Sequence, residues 1–209
     1  AGTPETARIL DAACGPGADT VTLAEARQDA QLLALEITPH FAEATRRRTA
    51  RFGPRVMAEE GDYLTLDGTF DLIWCAGAVY FHGIAQVLAA WRPNLAPGGA
   101  VAFSEPSWMI DPPSDAARAF WAGEYAPKPR AALEAEIHAA GDGVLDQRWI
   151  VDAPWAAYYG PMSARLDQLE DSEQSPEVTA AIAEARDEMT RWQAAREEIA
   201  YSLFVVRPI

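Results

Sequence analysis

Apolar residues gather along this chain in short strand-like runs, separated by longer stretches with a helical period. Strand signals fall at Arg8–Ala13, Gln31–Ile37, Arg55–Glu60, Phe70–Cys75 and Ala100–Ser104. Helical stretches lie between most of them. One runs from Pro39 to Arg51, with proline in the first turn, where its missing N–H is no loss. Another begins near Gly83 and is stopped by Asn94 and a Pro97-Gly98-Gly99 turn. Strand alternating with helix predicts an α/β fold, a doubly wound and mostly parallel sheet covered by helices on both faces.

Beyond Pro106 the pattern changes. Ser107–Arg130 mixes prolines and a glycine with Trp108, Phe120, Trp121 and Tyr125, and reads as a partly ordered, lid-like segment. A helix at Ala131–Ala140 and a sixth strand near Val144–Val151 follow. Pro154–Leu169 then reads as an aromatic-rich inserted helix, Pro176–Ala200 as a long charged amphipathic one, and Ile199–Val206 as the last strand. At 209 residues the chain suits one domain over 1–209, with the lid-like segment at 107–130 and inserted helices across 154–198.

The chemistry concentrates in Arg8–Leu23, RILDAACGPGADTVTL, where a strand signal runs through Gly15-Pro16-Gly17 into a helical pattern. Glycines there let the backbone turn tightly and bring its N–H groups close to a ligand. A dinucleotide fingerprint wants a third small residue where this chain has Thr20, and it wants no acid before the turn, where Asp11 stands. Glu36 closes the next apolar run at the distance where a carboxylate grips a ribose edge, a spacing that serves any adenosine ligand.

Five segments in order resemble the class I S-adenosylmethionine-dependent methyltransferases: Leu10–Gly17, Leu33–Ile37, Glu59–Tyr63, Phe70–Phe81 and Leu95–Pro106. The resemblance covers roughly the first half of the chain. It implies a Rossmann-like seven-stranded sheet with an antiparallel strand seven and S-adenosyl-L-methionine as cofactor. Gly15 and Gly17 would let the backbone pass the methionine part, with Ala13 and Cys14 in the same turn and Asp11 either bracing it or reaching the ligand's ammonium. Glu36, followed by Ile37, would hold the ribose hydroxyls. Asp62 would accept from the adenine amino group, Tyr63 would flank the ring, and Cys75 with Ala76 would offer backbone atoms beside the methionine tail. Ala13 replaces the family's usual first glycine, which implies a slightly tighter fit. The family usually carries an N-terminal helical cap. Here the first strand begins a few residues after Ala1, so that cap is either absent or upstream of this sequence.

Methyl transfer from a sulfonium mainly needs alignment and exclusion of water, with a base only where the acceptor carries a proton. Tyr80 and His82, just after strand four, and Glu105 and Trp108, just after strand five, are the acceptor-side candidates. Their plainer readings are packing for Tyr80, a surface helix start for His82 and a turn cap for Glu105. Trp155, Tyr158, Tyr159 and Arg165 form a second group, read either as core packing or as a wall for a small aromatic or carboxylate-bearing substrate. Asp111-Pro112-Pro113 resembles the motif that holds a target nitrogen in amino-methylating enzymes, but that motif belongs after strand four, so no base or amide methylation is inferred.

Charge narrows the partners. With 17 Lys and Arg against 31 Asp and Glu, the net charge of -14 opposes an electrostatic grip on nucleic acid. Arg46, Arg47, Arg48 and Arg51 read as a solvated helix face. No apolar run is long enough to span a bilayer and no leader pattern is present, so a cytoplasmic protein without a membrane partner is expected. Cys14 and Cys75 read as reduced thiols near the ligand, neither a nucleophile. His40, His82 and His138 are too scattered for a metal site. The leading expectation is a small-molecule methyltransferase. A cofactor-binding protein without turnover is the alternative, and a nicotinamide oxidoreductase is disfavoured by Thr20 and by the lack of a Tyr-x-x-x-Lys pair.

Overall fold

The computed structural model describes residues 7–122 and 127–209. Tyr125 and the centre of the lid-like segment lie outside the described residues. Two compact units form: residues 7–105, 131–148 and 203–209 make the first, and the described part of 106–130 with 149–202 makes the second.

The elements run in chain order as β1 (Arg8–Ala12), α1 (Ala18–Ala26), β2 (Gln31–Glu36), α2 (Pro39–Thr49), β3 (Val56–Glu60), β4 (Phe70–Cys75), α3 (Ile84–Trp91), β5 (Leu95–Trp108), α4 (Asp115–Phe120), β6 (Lys128–Pro129), α5 (Arg130–Ala139), β7 (Asp142–Ile150), α6 (Ala153–Glu170), α7 (Pro176–Ala195) and β8 (Ile199–Pro208). The sheet order is β3-β2-β1-β4-β5-β8-β7, with β6 beside β5. Strands β1 to β5 are parallel, and β5-β8-β7 is antiparallel.

Consecutive residues of β1 show why this sheet needs helices on both sides. Strand side chains alternate in direction, so Ile9 joins a cluster with Ala24, Leu32 and Val56, while Leu10 joins a larger one with Ile73, Val101, Phe103 and Phe204. Trp91 is fully buried in that larger cluster and donates from Nε1 to the Tyr63 carbonyl at 2.7 Å.

Several boundaries differ from expectation, each for a local reason. Strand β5 starts at Leu95, five residues early, because Pro97-Gly98-Gly99 forms a bulge inside the strand; the register against β4 shifts there. A Cβ on Gly99 would stand 2.9 Å from the Phe70 carbonyl oxygen, so only glycine fits. Helix α2 gives way at Thr49 to a 3-10 stretch, Ala50–Arg55, that contains Gly53 at φ 65 and Pro54. Helix α7 ends at Ala195, not Ala200, because β8 begins at Ile199. Helix α4 lies in the lid-like segment, where no helix is expected, although Ser114 caps it by accepting from the Ala117 N–H, a signal present in the sequence.

The second unit gathers rings. Ala117, Trp121, Ala195 and Ile199 are buried together, with Trp108, Phe120, Trp155, Trp192 and Tyr201 packed against them. Among the described residues no helix is long and apolar enough to cross a membrane.

Candidate functional site

The carboxyl ends of β1, β2 and β4 bring most of the expected cofactor residues to one edge of the first unit. The turn after β1 is built from residues in left-handed backbone. Ala13 sits at φ 56, Gly15 at φ 54 and Gly17 at φ 82. The two glycines do different work. A Cβ on Gly17 would meet the Thr45 side chain at 2.7 Å, so its missing side chain lets α2 approach. A Cβ on Gly15 would meet nothing within 4 Å, which leaves the backbone open on that side.

Directed bonds hold the turn. Thr45 Oγ1 donates to the Gly15 carbonyl at 2.8 Å, and the Cys14 thiol donates to Thr45 Oγ1 at 3.8 Å. Glu36 is buried at the end of β2 and takes one backbone N–H on each oxygen, from Gly15 at 2.8 Å and Thr38 at 2.9 Å. A carboxylate offers about four acceptor positions, so those two bonds leave acceptor capacity on both oxygens.

Asp11, at 2% exposure, lies beneath the turn and accepts from Thr20 Oγ1 at 2.5 Å. Through that bond Asp11 braces the turn. Thr20, in the sequence only a missing small residue, is the donor. Burial pushes the Asp11 carboxyl up to about 7; the Thr20 bond opposes this, and Asp19 and Glu36 add to it.

The register pairs Glu36 with Glu60, and the Gly61 N–H donates to the Glu36 carbonyl at 3.1 Å, so Ile37 and Asp62 leave the sheet at neighbouring positions. Ile37 is 66% exposed, an apolar surface in the open. Asp62 is exposed and accepts from the Leu64 N–H at 2.9 Å. Tyr63 departs from expectation. It is buried in the main core cluster, donates to the Ala78 carbonyl at 3.0 Å and packs edge-on to His82, so it is part of the core and not an open surface like Ile37. Its phenol is pushed up to about 12, mainly by burial.

Cys75 is fully buried and Ala76 exposed; the next residue, Gly77, donates its N–H to Ser104 Oγ at 2.9 Å, tying the end of β4 to β5. Both thiols are unoxidised and pushed up by burial, Cys14 to about 12, so neither carries the thiolate that a nucleophile needs. Four polar residues not singled out in the sequence organise this edge: Thr45, Ser104, Asp19 and Trp74. A single chain gives no signal for them, since each bonds to a partner distant in sequence.

The acceptor-side candidates are distributed over both units. In the first, Tyr80 is half-buried beside Phe81, His82 is exposed, and Glu105 is buried at 6% exposure in β5. In the second, Trp155 stacks on Tyr159 with centroids 6.0 Å apart and planes 11° apart, and both pack on Trp192. Tyr159 is 3% exposed and donates to Glu188 Oε1 at 2.7 Å. Tyr158 is 55% exposed on a different face of α6, and Arg165 is exposed and donates to Gln168 Oε1 at 3.3 Å. Trp155 and Tyr159 are therefore core packing, not a wall shared with Tyr158 and Arg165. Trp108 is half-buried in the same ring cluster. Among the described residues no cluster of three or more metal-ligating side chains occurs.

Residues 9–99 match the family described as "Methyltransferase domain". An uncharacterized 37.1 kDa protein in transposon TN4556 of Streptomyces fradiae is 39% identical over 107 residues, 47% of this chain and 30% of that protein. A trans-aconitate 2-methyltransferase of Deinococcus radiodurans is 30% identical over 102 residues, 48% of this chain and 38% of that protein. The chain thus spans about a third of the length of these relatives. A SAM-dependent methyltransferase from Geobacter sulfurreducens, crystallised with S-adenosyl-L-homocysteine, shares the fold at a TM-score of 0.81 and 22% identity, over 100% of this chain and 86% of that one.

Proposed function

We propose that this chain, which matches a methyltransferase domain over residues 9–99 and resembles the class I S-adenosylmethionine-dependent methyltransferases, binds S-adenosylmethionine at the turn after β1 and moves a methyl group to a small-molecule acceptor by in-line displacement. The observation that carries this reading is the open side of Gly15, where a Cβ would have no neighbour within 4 Å, beside a Glu36 carboxylate whose oxygens each have one bond in hand. When bound, the cofactor supplies a methyl group on a positively charged sulfonium, reactive without covalent help from the protein.

The chain's own residues then have defined tasks. Gly15 and Gly17 shape the backbone for the methionine part, and Asp11 braces it from below through Thr20. The remaining acceptor capacity of Glu36 suits two adjacent ribose hydroxyls. Ile37 offers an apolar face, and Asp62 an exposed carboxylate, to the adenine. Ala76 stands exposed after β4 for the methionine tail. Where the acceptor carries a proton, Glu105 is the favoured base, because a carboxylate at the end of a parallel strand sits where ligands bind in open sheets. Tyr80 and His82 are the further candidates. The trans-aconitate methyltransferase relative favours a small carboxylate-bearing acceptor.

Thermal unfolding with S-adenosylmethionine, S-adenosylhomocysteine and NAD in separate samples tests the reading. At about 100 times the dissociation constant a ligand adds ~2.7 kcal/mol, a rise of roughly 5 to 10 °C in the midpoint for a chain of this size. A rise with both sulfur ligands and none with NAD is the expected outcome; no rise with either defeats it. Stabilisation without methyl transfer to any of a panel of small carboxylic acids would instead favour a binding protein without turnover.

A further inference from the structure

Asp11 and Trp74 are partners in the register between β1 and β4, and the first turn of α1 reaches both of them. Thr20 donates to Asp11, and Asp19, one residue earlier, accepts from Trp74 Nε1 at 2.9 Å. Two consecutive helical residues thus bind two laterally paired strand residues. Any rotation of the helix start about its axis would break one bond or the other.

The bond to Trp74 holds Asp19 against the strand edge, and α1 opens directly from Gly17, its N-cap. Resting on the cofactor reading above, we propose that Trp74 is a positioning residue of the cofactor site: through Asp19 it fixes the first turn of α1, and so keeps Asp11 shielded from water beneath the glycine turn that faces the cofactor.

The groups acting on Asp11 are of one sign. Asp19 faces it from α1 and Glu36 from β2, while the thiol of Cys14 from the turn and that of Cys75 from β4 lie close enough to feel its charge. Burial among them keeps the carboxyl protonated up to about pH 7. A ligand ammonium favours the ionised form, so binding releases a proton and affinity rises with pH.

The test uses S-adenosylhomocysteine, titrated calorimetrically between pH 6 and 8, with proton release read by repeating the titration in buffers of different ionisation enthalpy. For wild type, one proton displaced from a group titrating near 7 raises affinity about tenfold over that range. Trp74→Phe removes the indole donor and Asp19→Ala the acceptor. Both are expected to bind about tenfold more weakly at pH 8 and to lose most of the pH dependence, because water then reaches Asp11. Asp19→Asn keeps an acceptor for the indole and is expected to stay within about threefold of wild type at pH 8.

Wild-type affinity in Trp74→Phe and Asp19→Ala overturns the proposal. So does a loss equal at every pH, which is what a merely structural role produces. Failure of wild type itself to bind S-adenosylhomocysteine removes the cofactor reading instead, and the positioning role with it.

Discussion

In the turn after β1, side chains from α2 and β2 bind the two backbone groups of Gly15 while one from α1 binds the Asp11 carboxyl; around Trp155, rings from α4, α6, α7 and β8 converge on one another. The first arrangement depends on direction and charge. The second depends on area. The indole N–H groups of Trp155 and Trp192 are buried with no acceptor among the described residues, so the ring cluster is held by packing in spite of its polar atoms. The two regions should therefore respond differently to pH and to volume.

The largest difference is expected at Asp11. Its folded-state value, about 7, lies above the unfolded 3.8, so the folded state binds the extra proton between those limits and stability falls as pH rises through that window. Asp11→Asn has no such charge to bury. Between pH 4 and 8 wild type should lose about 4 kcal/mol that the variant keeps, since each tenfold difference in proton affinity between the folded and unfolded chain is worth about 1.4 kcal/mol. Denaturant titrations across that range measure it, and parallel curves for the two proteins would refute a buried, proton-holding carboxyl.

Trp155→Ala sharpens the contrast from the other side. Deleting a half-buried tryptophan from a ring cluster costs about 3 kcal/mol, and here the cost should be the same at pH 5 and pH 8 because the rings that Trp155 itself touches carry no charge. A pH-dependent cost would mean that the cluster hides a titrating partner. Next in size is Gly17→Ala, whose new Cβ falls 2.7 Å from Thr45 at a positive φ; about 2 kcal/mol of stability should be lost. Gly15→Ala meets no atom and should cost about 1 kcal/mol from backbone strain alone, while weakening S-adenosylhomocysteine binding more than Gly17→Ala does for each kcal/mol of stability lost. In the ring cluster, Tyr159→Phe removes the hydroxyl donated to Glu188 and should cost about 1 kcal/mol by urea titration.

The two regions also differ in how far the sequence disclosed them. Strand four was readable to its end residues, since Phe70–Cys75 is apolar at every position but Asp71 and is bounded by the glycine turns at Gly68 and Gly77. The glycine turn was readable because left-handed backbone restricts the residues that can occupy it. What stayed hidden there was the donor to Asp11: Thr20 belongs to the next helix, and period and propensity say nothing of side-chain bonds between elements. In α6 the period of 3.6 put either Tyr158 or Tyr159 on the face of Trp155, and only the packing of Trp192 and Tyr201 from later in the chain decided for Tyr159. The bulge at Gly99 escaped for a similar reason. Pro-Gly-Gly reads as a turn until the carbonyl of Phe70 is known to lie against it.

The smallest expected effect tests the residue where this chain departs from the pattern of the methyltransferases it resembles. Ala13 holds φ 56, a conformation that costs an L residue about 1 to 2 kcal/mol and glycine almost nothing. Glycine also gives the unfolded chain more freedom, which takes back about 0.4 to 1 kcal/mol. Ala13→Gly should therefore be more stable than wild type by about half a kcal/mol, seen as a small upward shift of the urea midpoint with an unchanged slope. The opposite sign would mean that the turn holds Ala13 without strain, and that the methyl group packs well enough in its half-buried position to offset the backbone penalty.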